Sequence, residues 1–209
     1  MEKYFEKTML RLLTMWYNIP KAMSRRRLLY NEVKATQVAA LLLELNGGEM
    51  DYSKCIKLLY AIEKEAINRW LHPILGDNLC SLPSGQVVSQ TLDRAEYRAR
   101  PPKSFWNEHL KTTRDNTIHI TKECGFGKLS RAEVKLIKEI YGENRYKTPG
   151  QLFDEHHDST LFPEYQDPLG SSIPTKYSGL LVALGKTQEQ IDEFEDNLNE
   201  MAGMRAIAG

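Results

Sequence analysis

Five consecutive residues, Asp154-Glu155-His156-His157-Asp158, form the chain's densest set of metal-ligating groups. Helical zinc and iron sites take ligands three or four residues apart on one face, and adjacent histidines point in different directions. No third ligand is recommended by spacing elsewhere, so the run reads as a polar helix end, and no metal or other cofactor is called for. His72, His109 and His119 stand alone and read as hydrogen-bonded structural residues. A nucleophile would need a serine or cysteine in a strained elbow, but Ser84-Gly85 lacks the Gly-x-Ser-x-Gly context. Gly125-Phe126-Gly127 is too short to cradle a phosphate and has no Lys-Ser/Thr after it. The stretch from Arg94 to Trp106 interleaves Arg94, Arg98, Arg100 and Lys103 with Tyr97, Phe105 and Trp106. It could stack on and neutralise a single strand of nucleic acid. In a chain of zero net charge it reads first as a solvated turn over a buried aromatic pair. None of these groups argues for an enzyme.

The elements that carry these residues are mostly helices. Residues 2–17 place Phe5, Met9, Leu12 and Trp16 on one stripe, and Pro20 ends that helix. Val38, Leu41, Leu42 and Leu45 mark a second helix, stopped by Gly47-Gly48. A longer one runs from Tyr52 to Trp70, with Ile56, Leu59, Tyr60, Ile67 and Trp70 inward and Glu63, Lys64, Glu65 and Arg69 on the wet side. Turn residues dominate His72 to Val88, with short extended pieces between them. Residues 89–99 predict a short helix, and Ile118 and Ile120 mark a strand over 117–122. Ser130 and Glu133 make a capping box for the helix Ala132–Tyr141, and Thr148-Pro149 opens another through His156. After a loop over 158–176, Thr187 and Gln190 cap a last helix that turns Ile191, Phe194, Leu198 and Met201 inward. The expected fold is mainly α: one compact helical domain with a small β element in its middle, plus the N-terminal amphipathic helix.

With 209 residues, 41% hydrophobic and 27% charged, the chain has the mix of an ordinary globular protein. Its longest apolar run, Val38 to Leu43, is far short of the ~20 residues that cross a bilayer, so no membrane partner is expected. Cys55, Cys80 and Cys124 form no Cys-x-x-Cys pair and read as small buried hydrophobes in a reducing cytoplasm. The net charge of zero is uneven. Residues 1–27 hold seven basic groups, Arg25, Arg26 and Arg27 among them, against Glu2 and Glu6, a balance of +5, which leaves −5 on the rest. Such a tail meets something acidic: a partner protein, a nucleic acid or the chain's own body. Its helix either packs on the domain or binds a partner, and Met23 could be an internal start that makes residues 1–22 an optional leader.

Lys57-Leu58-Leu59-Tyr60, then His72-Pro73-Ile74-Leu75-Gly76-Asp77, then Leu82-Pro83-Ser84-Gly85-Gln86-Val87 follow one another in an order and spacing that resemble the Panacea domain, also called SocA-like or phage-associated GepA-like. Its members read K-L-L-Y, then G-x-P-I-x-G-D, then a small-residue turn ending G-P-V. Leu129-Ser130 and the segment Leu152 to His157 are similar to later family pieces, with His157 matching a leucine-x-histidine ending. His72 replaces the usual glycine and Gln86 the usual proline. The similarity spans about residues 33 to 205, which divides the chain into an N-terminal helix and basic linker at 1–32 and the domain at 33–209.

The resemblance implies a bacterial or prophage antitoxin that neutralises a cognate protein toxin, encoded by the adjacent gene, through direct binding. Family members neutralise toxins of several unrelated classes, and one delivers its toxin to a protease. A cytosolic protease is therefore a second expected partner, with the short tail Ala206-Ile207-Ala208-Gly209 as a feature that exposes the chain to it. The motif residues Lys57, Leu58, Leu59, Tyr60, Pro73, Gly76, Asp77, Gly85, Val87 and His157 read as scaffold. Phe5, Met9, Leu12, Trp16, Arg25, Arg26 and Arg27 are the candidate toxin-binding residues. The alternative is a helix-turn-helix-like DNA-binding autoregulator that uses the helix pair at 36–70 and the Arg25–Arg27 cluster, with nucleic acid as the second-choice partner.

Overall fold

The computed structural model describes residues 30–96 and 104–208. The expected helix at 2–17, the arginine cluster at 25–27 and the end of the helix expected over 89–99 lie outside them. Helix α1 (Glu32–Leu45) starts where the Asn31 side chain accepts the Lys34 N–H and ends ahead of Gly47 and Gly48, both at positive φ. It is buried from Ala35 to Leu43 on every face, not on a single stripe. Thr36 and Gln37 can sit inside because each side chain bonds backbone: Thr36 donates to the Glu32 carbonyl, and Gln37 accepts the Lys128 N–H.

Strand β1 (Glu49–Asp51) leads into α2 (Tyr52–Trp70), whose first N–H groups are capped by Asp51. Eleven residues of α2 are buried, and α1, the strands and the later helices pack around it. Trp70, expected inward, is 39% exposed, because the helix outruns the core by a turn before Leu71 closes it at φ +49°.

The expected β element is two three-stranded antiparallel sheets. In one, β5 (Thr117–Ile120) lies between β1 and β4 (Leu110–Thr112), and His119 meets Glu49 across the β1–β5 pair at 3.0 Å. In the other, β2 (Leu79–Leu82) lies between β3 (Gly85–Val88) and β6 (Ile173–Thr175). Strand β6 comes from the region expected to be loop, and its central residue is Pro174, opposite Cys80. Without an N–H, Pro174 cannot bond β2, so Ile173 and Thr175 carry the ladder and the proline sits at the outward position of an edge strand.

Helices α3 (Ser89–Ala95) and α4 (Phe105–His109) follow the hairpin. The capping boxes Ser130/Glu133 and Thr148/Gln151 open α5 (Arg131–Asn144) and α6 (Pro149–Glu155), and Thr187 and Gln190 exchange the same bonds before α8 (Gln188–Ala208). Between β6 and α8 lies α7 (Tyr177–Ala183), a helix that no side-chain cap opens. Ile191 and Phe194 of α8 are buried as expected, in the same core as α1 and α2. Cys55 is buried, while Cys80 and Cys124 are half-buried, and all three are free thiols. Among the described residues no helix is long and apolar enough to cross a membrane.

Candidate functional site

Helix α2 sends a series of polar side chains inward, and each holds a different segment. Lys54 is buried and donates 2.8 Å bonds to the carbonyls of Arg145 and Lys147 at the end of α5. One turn on, Lys57 reaches under the β2–β3 hairpin and donates to the carbonyls of Ser84 and Gln86, the latter at 3.2 Å. Tyr60 donates to Glu164 at 2.8 Å, and Lys64 pairs with the same carboxylate at 3.0 Å. Leu58 and Leu59, between them, fill the core.

Glu63 overturns its assignment to the wet side: it is 0% exposed. Its carboxylate accepts the N–H groups of Ile74 and Leu75 at 2.8 Å and of Gly76 at 2.9 Å. These bonds hold the turn that contains Pro73, which is buried, and Gly76, which sits at φ +64°. Burial pushes the Glu63 carboxyl up to about 7 against the opposing pull of the three N–H groups. Next along, Asp77 accepts from the N–H groups of Asn78, Gln90 and Thr91 and from the Thr91 hydroxyl, so it caps α3 from a distance. Its carboxyl is raised by burial to about 6.

Gly85 is required at the hairpin tip. Its φ is +92°, and a Cβ there would stand 2.8 Å from both His156 Cβ and Lys57 Nζ. Gln86, where the family has proline, is wholly buried and accepts from the Thr175 hydroxyl across β2, and Val87 beside it is core. His157 faces the same hairpin, with Nδ1 2.7 Å from the Phe153 carbonyl and Nε2 3.0 Å from the Pro83 carbonyl. The motif residues Lys57, Gly85 and His157 thus meet at one place, although 72 positions separate Gly85 from His157.

His156 turns the other way and is 1% exposed, stacked on Phe162 at 4.0 Å and edge-on to Tyr60. Burial, then the Lys57 charge, push its pKa down to about 2. The expected polar helix end therefore has one buried histidine, and periodicity carried the signal, since His156 follows the buried Leu152 by four residues. Among the described residues no three His, Cys, Asp or Glu side chains gather to hold a metal ion. His109 is buried and contacts the Phe105 carbonyl through Nδ1, and His119 pairs with Glu49, whereas His72 is exposed.

Beside this cluster lies an open groove of about 370 Å³. Ile56 and Lys57 of α2, Leu82 and Val87 of the hairpin, and Leu92 of α3 form its walls and floor, and Phe153, 41% exposed, stands at its rim. Lys57 and Ser84 belong both to this surface and to the clamp under it. Of the stretch Arg94–Trp106, read first as a turn over a buried aromatic pair, residues 97–103 lie outside the described residues; Trp106 is in the core, and Arg94 lies over Tyr30 and pairs with Glu32. Phe5, Met9, Leu12, Trp16, Arg25, Arg26 and Arg27 lie outside the described residues.

A family model described as Antitoxin SocA-like, Panacea domain, matches residues 56–161, just over half the chain and narrower than the span of the resemblance. No curated protein and no solved structure matches the chain.

Proposed function

The chain belongs to the antitoxin SocA-like, Panacea domain family, and on that premise we propose that it neutralises a cognate protein toxin by binding it directly. One observation carries this reading: the family-motif side chains are spent on holding loops. Lys57 and His157 fix the hairpin, Asp77 fixes α3, and Tyr60 fixes the Glu164 loop. Such a set of contacts shapes a surface, the groove above all, and a surface is what a binding protein needs. The N-terminal stripe and its +5 charge would add toxin choice, and the small apolar tail would suit delivery to a protease.

The DNA-binding alternative gains nothing from α2. A groove-reading helix presents basic side chains to phosphate, but Lys54 and Lys57 are buried and Arg69 is paired with Glu65 and Glu139.

Co-expression with the product of the adjacent reading frame tests the proposal. A stoichiometric complex, with a neighbour toxic on its own and harmless with this chain, is the expected result. A harmless neighbour and a chain that purifies alone would overturn it.

A further inference from the structure

The geometry points to a specific occupant for the groove beside the hairpin: a side-chain carboxylate of the protein partner, carried next to an apolar residue, with Lys57 as its counter-ion. The inference rests on the binding reading above and deepens it. Lys57 is 5% exposed, and no carboxylate among the described residues pairs with it. Two of its three donors go to backbone carbonyls, which accept bonds and supply no negative charge. A buried cation without a counter-charge is costly, and burial has already drawn the Lys57 pKa down to about 7. Lys57 is among the residues that line the groove, and its third donor is left for an acceptor arriving from there.

The dimensions and lining select the ligand. About 370 Å³ suits one or two side chains of a partner. Ile56, Leu82, Val87 and Leu92 welcome apolar atoms, and Phe153 offers a ring at the entrance. A carboxylate on an apolar stem reaches the floor while the partner's backbone stays at the rim. A chain terminus would carry its last amide in beside Ile56, Leu82, Val87 and Leu92, whose side chains offer it no bond. No arginine lines the groove, so a dianionic phosphate would be left half neutralised. Glu96 also borders the groove, but it is exposed, and solvent screens it far more than it screens the floor.

The test uses the full chain, isotope-labelled for NMR and titrated with the acetylated, amidated tripeptide leucine-glutamate-phenylalanine and with its glutamine analogue. The glutamate peptide is expected to shift the amides of Ile56, Leu82, Ser84 and Phe153, and the glutamine analogue to bind about tenfold more weakly, the loss of one charge-assisted bond. Lys57→Met should erase the difference between the peptides. If that variant does not fold, Phe153→Ala at the exposed rim should still weaken both peptides. Equal affinity of the two peptides, shifts away from the groove, or no binding of the glutamate peptide at millimolar concentration would overturn the inference. So would tighter binding of acetyl-leucyl-phenylalanine with a free carboxyl end, or of inorganic phosphate. A chain that neutralises its toxin while failing these titrations loses the carboxylate site and keeps the antitoxin reading. One that binds the glutamate peptide at the groove and protects against no toxin does the reverse.

Discussion

The Lys57 ammonium sits directly beneath Gly85, so close that a Cβ on residue 85 would stand 2.8 Å from Nζ. Helix and hairpin are therefore fitted to each other through a missing side chain.

Gly85→Ala should lower stability by about 3 kcal/mol, combining the left-handed penalty with an overpacked contact. Denaturant unfolding measures it. Ser84→Ala, next to it on the exposed surface, should lie within about 0.5 kcal/mol of the parent. Equal effects at the two positions would refute the close fit.

Glu63→Gln should change how stability depends on pH. The Glu63 carboxyl titrates near 7 in the folded chain against an ordinary 4.5. Its contribution is fully present below pH 4.5 and is lost as pH rises through 7, about 3 kcal/mol in all. Asp77 adds a slope of the same sign between 3.8 and about 6, which the variant retains. Unfolding free energies of parent and variant, compared across pH 4 to 8, should converge in shape only where Glu63 does not titrate.

His156→Phe probes the opposite sign. The folded ring resists protonation down to about pH 2, while the unfolded ring takes up a proton at about 6.5. The parent therefore loses stability as pH falls below 6.5, by about 2 kcal/mol at pH 5, and the phenylalanine variant should not. The difference between the two proteins isolates His156 from the carboxylates that titrate over the same range.

Deleting residues 1–22 should weaken toxin neutralisation and leave unfolding of the remaining chain unaltered. Neutralisation at full strength would remove Phe5, Met9, Leu12 and Trp16 from the binding surface.

Much of the helical framework could be read from residues, because capping and periodicity are local. Ser130/Glu133, Thr148-Pro149 and Thr187/Gln190 each announce a helix start within four positions. The strands were harder. Strand β6 is three residues long and finds its partner, β2, more than ninety positions earlier. Helix α7 opens on Lys176 without a side-chain cap, so it carried no signal at its start. At the site, Glu63 was misjudged by its charge although it lies four positions before Ile67 and seven after Ile56, on the apolar stripe itself. The meeting of Lys57 with His157 across the Gly85 turn was beyond local reasoning, since tertiary packing alone brings them together.

Pro174 has a consequence for how this chain can be gripped. By closing the outer rim of its sheet to further pairing, it denies other proteins a backbone handhold there. Whatever docks on that side must be known by its chemistry and contour, whatever its own chain conformation. The same closure removes one edge along which two copies of the chain could zip together strand to strand.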